Sequence, residues 1–430
     1  MAIIDRSNLS FLLVRDAFLA PALDLVPLCP SVRKCPKLGD ALWLATGVER
    51  VLQSCSSGRA FLQKLLCRSV DFAIGNSHFF ASLSSPRRLA LLGELNTLLC
   101  GKMRSCLPDR LAALPGIEDF DIYAGDGHFH RSAAHDPRDE NDRKQPVGHL
   151  YSRCLRTGAL RHLTAMDDVL NKKEHDMHAL KRIEIKALRH EAKTGRKVLI
   201  VYDRAVINYD QWHQWKQGSG IYVLTRTKEN LVFELVRSLD FDCSDPINAG
   251  VLADELVKPS SGKAVTLRRI TFKDIVSGEV YEYLTNVLSE QISPGVLAFL
   301  YRSRWGIEKS FDEFKNHLGE QKAWATSATA KCMQAQFLCI TMNLFLLMEH
   351  QLATEEGIRN EPEEKRRAQR LDKAQQEAKK HNTILPKALF LVTAMSQVGV
   401  KLIRWVSANW VLKVPWKQAC MALVKLYAAL

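Results

Sequence analysis

The run RKVLIVYDRAV, residues 196–206, constrains the fold more than any other stretch of the chain. Val198 to Tyr202 are five consecutive, largely apolar residues rich in β-branched side chains, without polar alternation. Such a strand has both faces covered, as in a partly parallel sheet flanked by helices. Asp203 follows at the strand's carboxyl end, where ligand sites of these sheets collect. Upstream, KKEHDMHALKRIEIKALRHEAKTG places Met177, Leu180, Ile183 and Leu188 on one side of a helical wheel, with Gly195 as its stop. DFDIYAGDGHFH, residues 119–130, reads as a strand ending in a turn at Asp126 and Gly127, and GIYVLTR, 220–226, as another strand. The fold class is α/β.

Other segments fill in the organisation. Residues 1–115 read as helices separated by polar or proline-containing breaks such as LCPSVRKCPK and NSHFFASLSSPRR. Arg33, Lys34, Lys37, Arg87 and Arg88 there suit either phosphates or a solvated basic surface. Residues 227–285 hold LVFELV, KAVTLRRITFKD and GEVYEYLTN between turn-rich pieces, which predicts a β-rich inserted subdomain. Residues 286–350 return to the α/β part, with strongly apolar helices over 323–350. Residues 351–430 begin with a charged segment, 354–381, and end in a compact helical tail that packs on the main domain or mediates oligomerisation.

The 430-residue chain has 60 Lys plus Arg against 47 Asp plus Glu, a formal charge of +13 that favours a polyanionic partner. Eleven cysteines without a CxxC pair argue against a disulfide framework or a zinc ribbon and suit a reducing cytoplasm. Asp5, Arg6, Arg15 and Asp16 interrupt any signal-peptide core, and no uninterrupted apolar stretch is expected to span a bilayer.

YRSRWGIEKSFDEFK, residues 301–315, carries the most specific pattern. Read as one helix, it sets Tyr301, Arg304, Glu308, Asp312 and Lys315 on an arc of about 80°. Leu300, Ile307, Phe311, Phe314 and Leu318 form an adjoining stripe that can dock on a core and so aim the polar arc. Arg304 and Glu308 alone could be an ordinary i,i+4 surface pair. A glutamate flanked by two basic groups also suits a divalent ion beside a phosphate. Phosphoryl transfer with hard cations needs several oxygen ligands, and Asp126 and Asp203 supply them if their strands lie side by side. The plainer reading of each aspartate is a turn residue bonding its own backbone.

Tyr301, Arg304, Glu308 and Lys315 match in full the signature Tyr, two residues, Arg, three residues, Glu, six residues, Lys. On those residues the chain resembles DDE transposases of the insertion-sequence-four type. YAGDG resembles the family's first acid motif, VYDRAV its second, and YVLTRTK and YLTN the strands flanking its β insertion. The resemblance covers roughly residues 119–345 and implies an RNase H-like catalytic core, its first part at 116–226 and its second at 286–350, with helical ends. The family's Gly after the Asp-Arg pair is Ala205 here, and the aromatic that follows is Val206.

The resemblance further implies that Asp126, Asp203 and Glu308 bind two Mg2+ or Mn2+ ions and are the catalytic residues. It implies cleavage at transposon ends and strand transfer of a 3′ hydroxyl into target DNA. The partners would be double-stranded terminal inverted repeats, target DNA and a second copy of the chain in a homodimer; the place, the cytoplasm, at the nucleoid. Tyr301, Arg304 and Lys315 would meet DNA. Trp305 would stack on a displaced base or pack, and Asn286 would cap a strand end or touch phosphate. His175 and His178, three apart, lack the cysteine pairing or HExxH pattern of a zinc site, as do His128, His130 and His135. The competing readings are a binding-only descendant and a nuclease without strand transfer.

Overall fold

The computed structural model describes residues 12–429, apart from 34–37, 54–56, 69–74, 145, 167, 170–171, 191, 261–264, 275–276, 320–321 and most of 361–398. Lys34, Lys37 and part of the charged segment at 354–381 therefore lie outside the described residues. Five helices lead: α1 (Val14–Leu23), α2 (Asp40–Leu52), α3 (Gly58–Arg68), α4 (Asn76–Ser82) and α5 (Pro86–Cys106). Then come β1 (Phe120–His130), β2 (Val147–Cys154), β3 (Leu160–Ala165) and a small ribbon of β4 (Asp168–Val169) with β5 (Lys172–Lys173). Helices α6 (Asp176–Arg182) and α7 (Ile185–Leu188) precede β6 (Lys197–Val201), α8 (Tyr209–Ser219) and β7 (Ile221–Arg226). Strands β8 (Phe233–Ser238), β9 (Val251–Pro259), β10 (Leu267–Lys273) and β11 (Val280–Thr285) follow. The chain continues through α9 (Pro294–Ser303), α10 (Trp305–Asn316), α11 (Ala328–Glu355), α12 (Val400–Asn409) and α13 (Trp416–Ala428).

Nine of the described strands form one sheet in the order β3-β2-β1-β6-β7-β11-β10-β9-β8. β1, β2 and β3 are antiparallel, whereas β6 runs parallel to β1 and β7 parallel to β6. The apolar run accounts for β6, whose Val198 to Val201 are all buried. Strands β8 to β11 are the predicted β-rich stretch, but they are no separate subdomain: β11 pairs with β7, so they lengthen the same sheet. A period-2 pattern identifies a strand without naming its neighbour.

Helix α11 lies against α5, β3, α1 and α2. Its buried Asn343 accepts from Leu160 N–H at 2.8 Å and donates to Asn96 Oδ1 at 2.8 Å, locking α11, β3 and α5 together. By length and composition α11 is apolar enough to cross a membrane, contrary to the sequence expectation, but 83% of its apolar window is buried inside the protein. Its hydrophobic surface is occupied by the core. The helical tail packs on the main body: α12 lies against α1 and α11, and Trp416 N–H donates to the Leu12 carbonyl at 2.8 Å.

Four local expectations are corrected. β1 does not end at Asp126 but runs on to His130, because β2 pairs with it from Tyr123 to His130, whereas β6 pairs with it only as far as Ala124. The helix predicted over 172–195 is two short ones, since Ile183 is extended at φ −75°, ψ 132°. Gly195 supplies a positive φ of 86° in the turn before β6 rather than a helix cap. Arg87 does not face solvent for phosphate: it grips the buried Asp40 with two 2.8 Å bonds, and Arg88 stands beside it, 3.8 Å from the same carboxylate.

Candidate active site

Register brings the two aspartates together. Ala124 of β1 lies opposite Val201 of β6, and each aspartate is two residues further on, at neighbouring strand positions. Adjacent strands are about 4.8 Å apart, so Asp126 and Asp203 emerge side by side. Asp126 Oδ1 accepts from Gly127 N–H at 2.9 Å, and Asp203 Oδ1 accepts from Ala205 N–H at 2.8 Å. The backbone-bonding reading thus accounts for one oxygen of each, and Asp126 Oδ2 bonds Arg304 instead. Ala205 and Val206 form the short 3-10 turn that Asp203 caps, so the turn forms without a glycine.

Helix α10 delivers the third acid. Ile307, Phe311 and Phe314 are buried as the stripe predicts, with α10 lying on β1 and β2. The chain is not one helix there: α9 ends at Ser303, α10 starts at Trp305, and Arg304 is the junction. Arg304 Nη1 donates to Asp126 Oδ2 at 2.8 Å while Nη2 donates to Glu308 Oε1 at 2.7 Å. One guanidinium therefore bridges two of the acids, and the surface-pair reading of Arg304 and Glu308 is corrected by its 13% exposure.

Burial raises the Asp126 carboxyl to about 6; Arg304 opposes the rise, and the charges of Asp203 and Glu308 add to it. Four of the five residues of the polar arc divide by depth: Arg304 and Glu308 are half-buried at the acids, while Asp312 and Lys315 are exposed. Tyr301 is half-buried against Tyr283, ring centroids 4.8 Å apart. Trp305 is 63% exposed at the start of α10, so it does not pack in the core.

Asn286 is corrected as a phosphate contact. It is 2% exposed, accepts from Val223 N–H at 2.8 Å and donates to the Trp212 carbonyl at 3.1 Å, so both ends of its amide tie β7 to α8. His175 is the N-cap of α6, accepting from Met177 N–H, and it and His178 are exposed. His128 is buried and stacks on Phe311 at 4.5 Å.

The sequence pattern missed Asp176. At the start of α6 it lies against β1: a Cβ on Gly127 would come 3.2 Å from Asp176 Oδ2. Burial pushes its carboxyl up to about 6, helped by the charges of Asp203 and Asp126. Tyr202 was also missed. It is fully buried, its hydroxyl has no hydrogen-bond partner among the described residues, and it feels Asp176, Asp126 and Asp203. Its ring requires Gly125, where a Cβ would stand 2.0 Å from it. Asp176 could not be found by spacing, because α6 returns to β1 only through tertiary packing.

The donor set is hard carboxylate oxygen, held by a strand, a strand end and a helix, the chemistry that suits Mg2+ or Mn2+. An open cleft beside Asp203 is lined by His175, Arg204, Ala205, Lys228 and Glu229.

Comparison with known proteins gives two findings. A family model described as "Transposase DDE domain" matches residues 128–344, half of the chain, and so includes Asp203 and Glu308 but begins just after Asp126. The chain is also similar to "Putative transposase y4zB" of Sinorhizobium fredii (strain NBRC 101917 / NGR234), 29% identical over 140 residues. That match spans 30% of this chain and 38% of the relative's length.

Proposed function

The chain belongs to the Transposase DDE domain family, and from that premise we propose that it cuts transposon ends and joins the freed 3′ hydroxyl to target DNA. The observation that carries this reading is the convergence of Asp126 within β1 and Asp203 just after the neighbouring β6, with Glu308 bridged to Asp126 through Arg304. The order of three antiparallel strands followed by two parallel ones, β3-β2-β1-β6-β7, supports an RNase H-like core. Strands β8 to β11 are its insertion, and the helical ends at 1–115 and 351–430 flank it.

Asp126, Asp203 and Glu308 would hold two Mg2+ or Mn2+ ions. When bound, such a pair supplies the Lewis-acid charge that readies the attacking oxygen and steadies the departing one. The chain's own residues do the rest. Their carboxylates fix the geometry, Arg304 keeps Asp126 and Glu308 from repelling each other, and β1 and β6 hold both aspartates rigidly. Lys315, exposed on α10, would meet a DNA phosphate, and Tyr301 packs behind Arg304. Water displaces one strand's 3′ oxygen from phosphorus in line, and the resulting hydroxyl then attacks a phosphodiester of the target. The partners are double-stranded terminal inverted repeats, target DNA and a second copy of the chain, at the nucleoid.

The test is incubation of purified protein with the inverted repeats that flank its own gene, in Mn2+, for wild type and Glu308→Ala. Wild type should cut and the variant should bind without cutting; equal cutting by both would overturn the proposal. A pre-cut end bearing a 3′ hydroxyl, offered with plasmid, separates a transposase from a nuclease that only hydrolyses.

A further inference from the structure

Further along the face of β1 that carries Asp126, a second set of metal-binding side chains gathers outside the acid cluster. His149 of β2, His162 of β3 and Cys332 in the first turns of α11 each present a ligand atom within 4.8 Å of the others. His149 Nδ1 and His162 Nε2 are 2.9 Å apart. Two nitrogens on one tetrahedral zinc stand roughly 3.3 Å apart, given Zn–N bonds of about 2.05 Å, so a shift of a few tenths of an ångström opens a seat for the ion.

We propose that His149, His162 and Cys332 form a zinc site that ties the β2–β3 edge to the start of α11. Two imidazoles and a thiolate are borderline-to-soft donors, which favour Zn2+, whereas Mg2+ and Mn2+ prefer the carboxylate oxygens of the other cluster. The His162 ring also hydrogen-bonds the Thr164 backbone, the kind of outer contact that fixes a metal-binding imidazole. His149 is 0% exposed and its Nδ1 already faces His162 Nε2, so an ion seated between them is shielded from water. Cys332 is half-buried and gives an ion access from solvent. Lys331 beside it is neutralised by Asp136 at 2.9 Å, which lowers the repulsion a cation would meet. On binding, the Cys332 sulfur donates to the metal and its proton leaves to solvent, while both histidines bind as neutral imidazoles.

The experiment titrates metal-stripped, full-length protein with Co2+ and records its absorption. One equivalent should give a near-ultraviolet thiolate-to-cobalt band that survives in Glu308→Ala and disappears in Cys332→Ser and His162→Gln. No band, or an unchanged band in Cys332→Ser, overturns the site and leaves a buried histidine pair. Should either variant fail to fold, the wild-type protein still decides by alkylation followed by peptide mapping. Zn2+ should slow modification of Cys332 about tenfold or more and leave the exposed Cys67, Cys106 and Cys243 unaffected. Equal Cys332 rates with and without Zn2+ in folded protein overturn it. Neither readout depends on DNA cleavage, so the outcome is separate from that of the transposase reading.

Discussion

Arg304 and Asp126, 178 residues apart in the chain, are joined by a 2.8 Å charged hydrogen bond that fixes the start of α10 over the middle of β1. Through its other nitrogen the same guanidinium holds Glu308, so it does for the metal-free protein what a divalent cation would do. Arg304→Gln should therefore lower metal-free stability by about 1–3 kcal/mol, since two half-buried carboxylates lose their counter-charge. Thermal melts check this: Mn2+ should raise the melting temperature more in the variant than in wild type. An unchanged metal-free melt would contradict it.

Among the described residues, no cation offsets Asp126 and Asp203 at Asp176. Its carboxyl is raised from 3.8 to about 6, so the charged form is the one the fold disfavours. The penalty is absent below the unfolded value, builds as pH rises through that window and is complete above it. Asp176→Asn should stabilise the metal-free protein by about 1–2 kcal/mol at neutral pH, after discounting for solvent screening. The gain should shrink as pH falls through the window. Urea melts at several pH values measure it, and a pH-independent effect would refute the cause given.

Lys315 and Trp305 are exposed on α10 and face no core partner. Lys315→Ala should weaken end-DNA binding and reduce the slope of log affinity against log salt by about 1. Trp305→Ala should cost about 1–3 kcal/mol of binding, with little change in slope, if the ring stacks on a base. Fluorescence anisotropy over a salt series distinguishes the two. An unaltered slope for Lys315→Ala would remove it from the interface.

Asn286→Ala should behave in the opposite way. Its loss strands the buried Val223 N–H and leaves the Trp212 carbonyl without this donor, at a cost of about 2–4 kcal/mol of stability. The salt slope for DNA should not move. A changed slope in folded protein would return Asn286 to the DNA surface.

How much of this was written in the sequence differs by residue. β6 was legible because a run from Val198 to Val201 with both faces apolar has few other solutions, and the aspartate after it marks the strand end. The buried stripe Ile307, Phe311 and Phe314 was legible from helical period, which also aimed Arg304 and Glu308. The break at Ile183 was not, since periodicity does not report the backbone angles that interrupt a helix. Asp176, Arg87 and Asn286 escaped for a shared reason: each is defined by a partner far along the chain, Gly127, Asp40 and Trp212. The membership of β8 to β11 in the main sheet depends on the pairing of β11 with β7, which no local pattern carries.

The central claim is that Asp126, Asp203 and Glu308 act as one binding unit for hard cations. Electron paramagnetic resonance counting of bound Mn2+ tests it without DNA or catalysis. Wild type should bind Mn2+ with an affinity that falls as pH drops through about 6, where Asp126 takes up a proton. Asp126→Asn, Asp203→Asn and Glu308→Gln should each weaken that binding about tenfold or more. Mn2+ binding that is unchanged in all three folded variants would contradict the account.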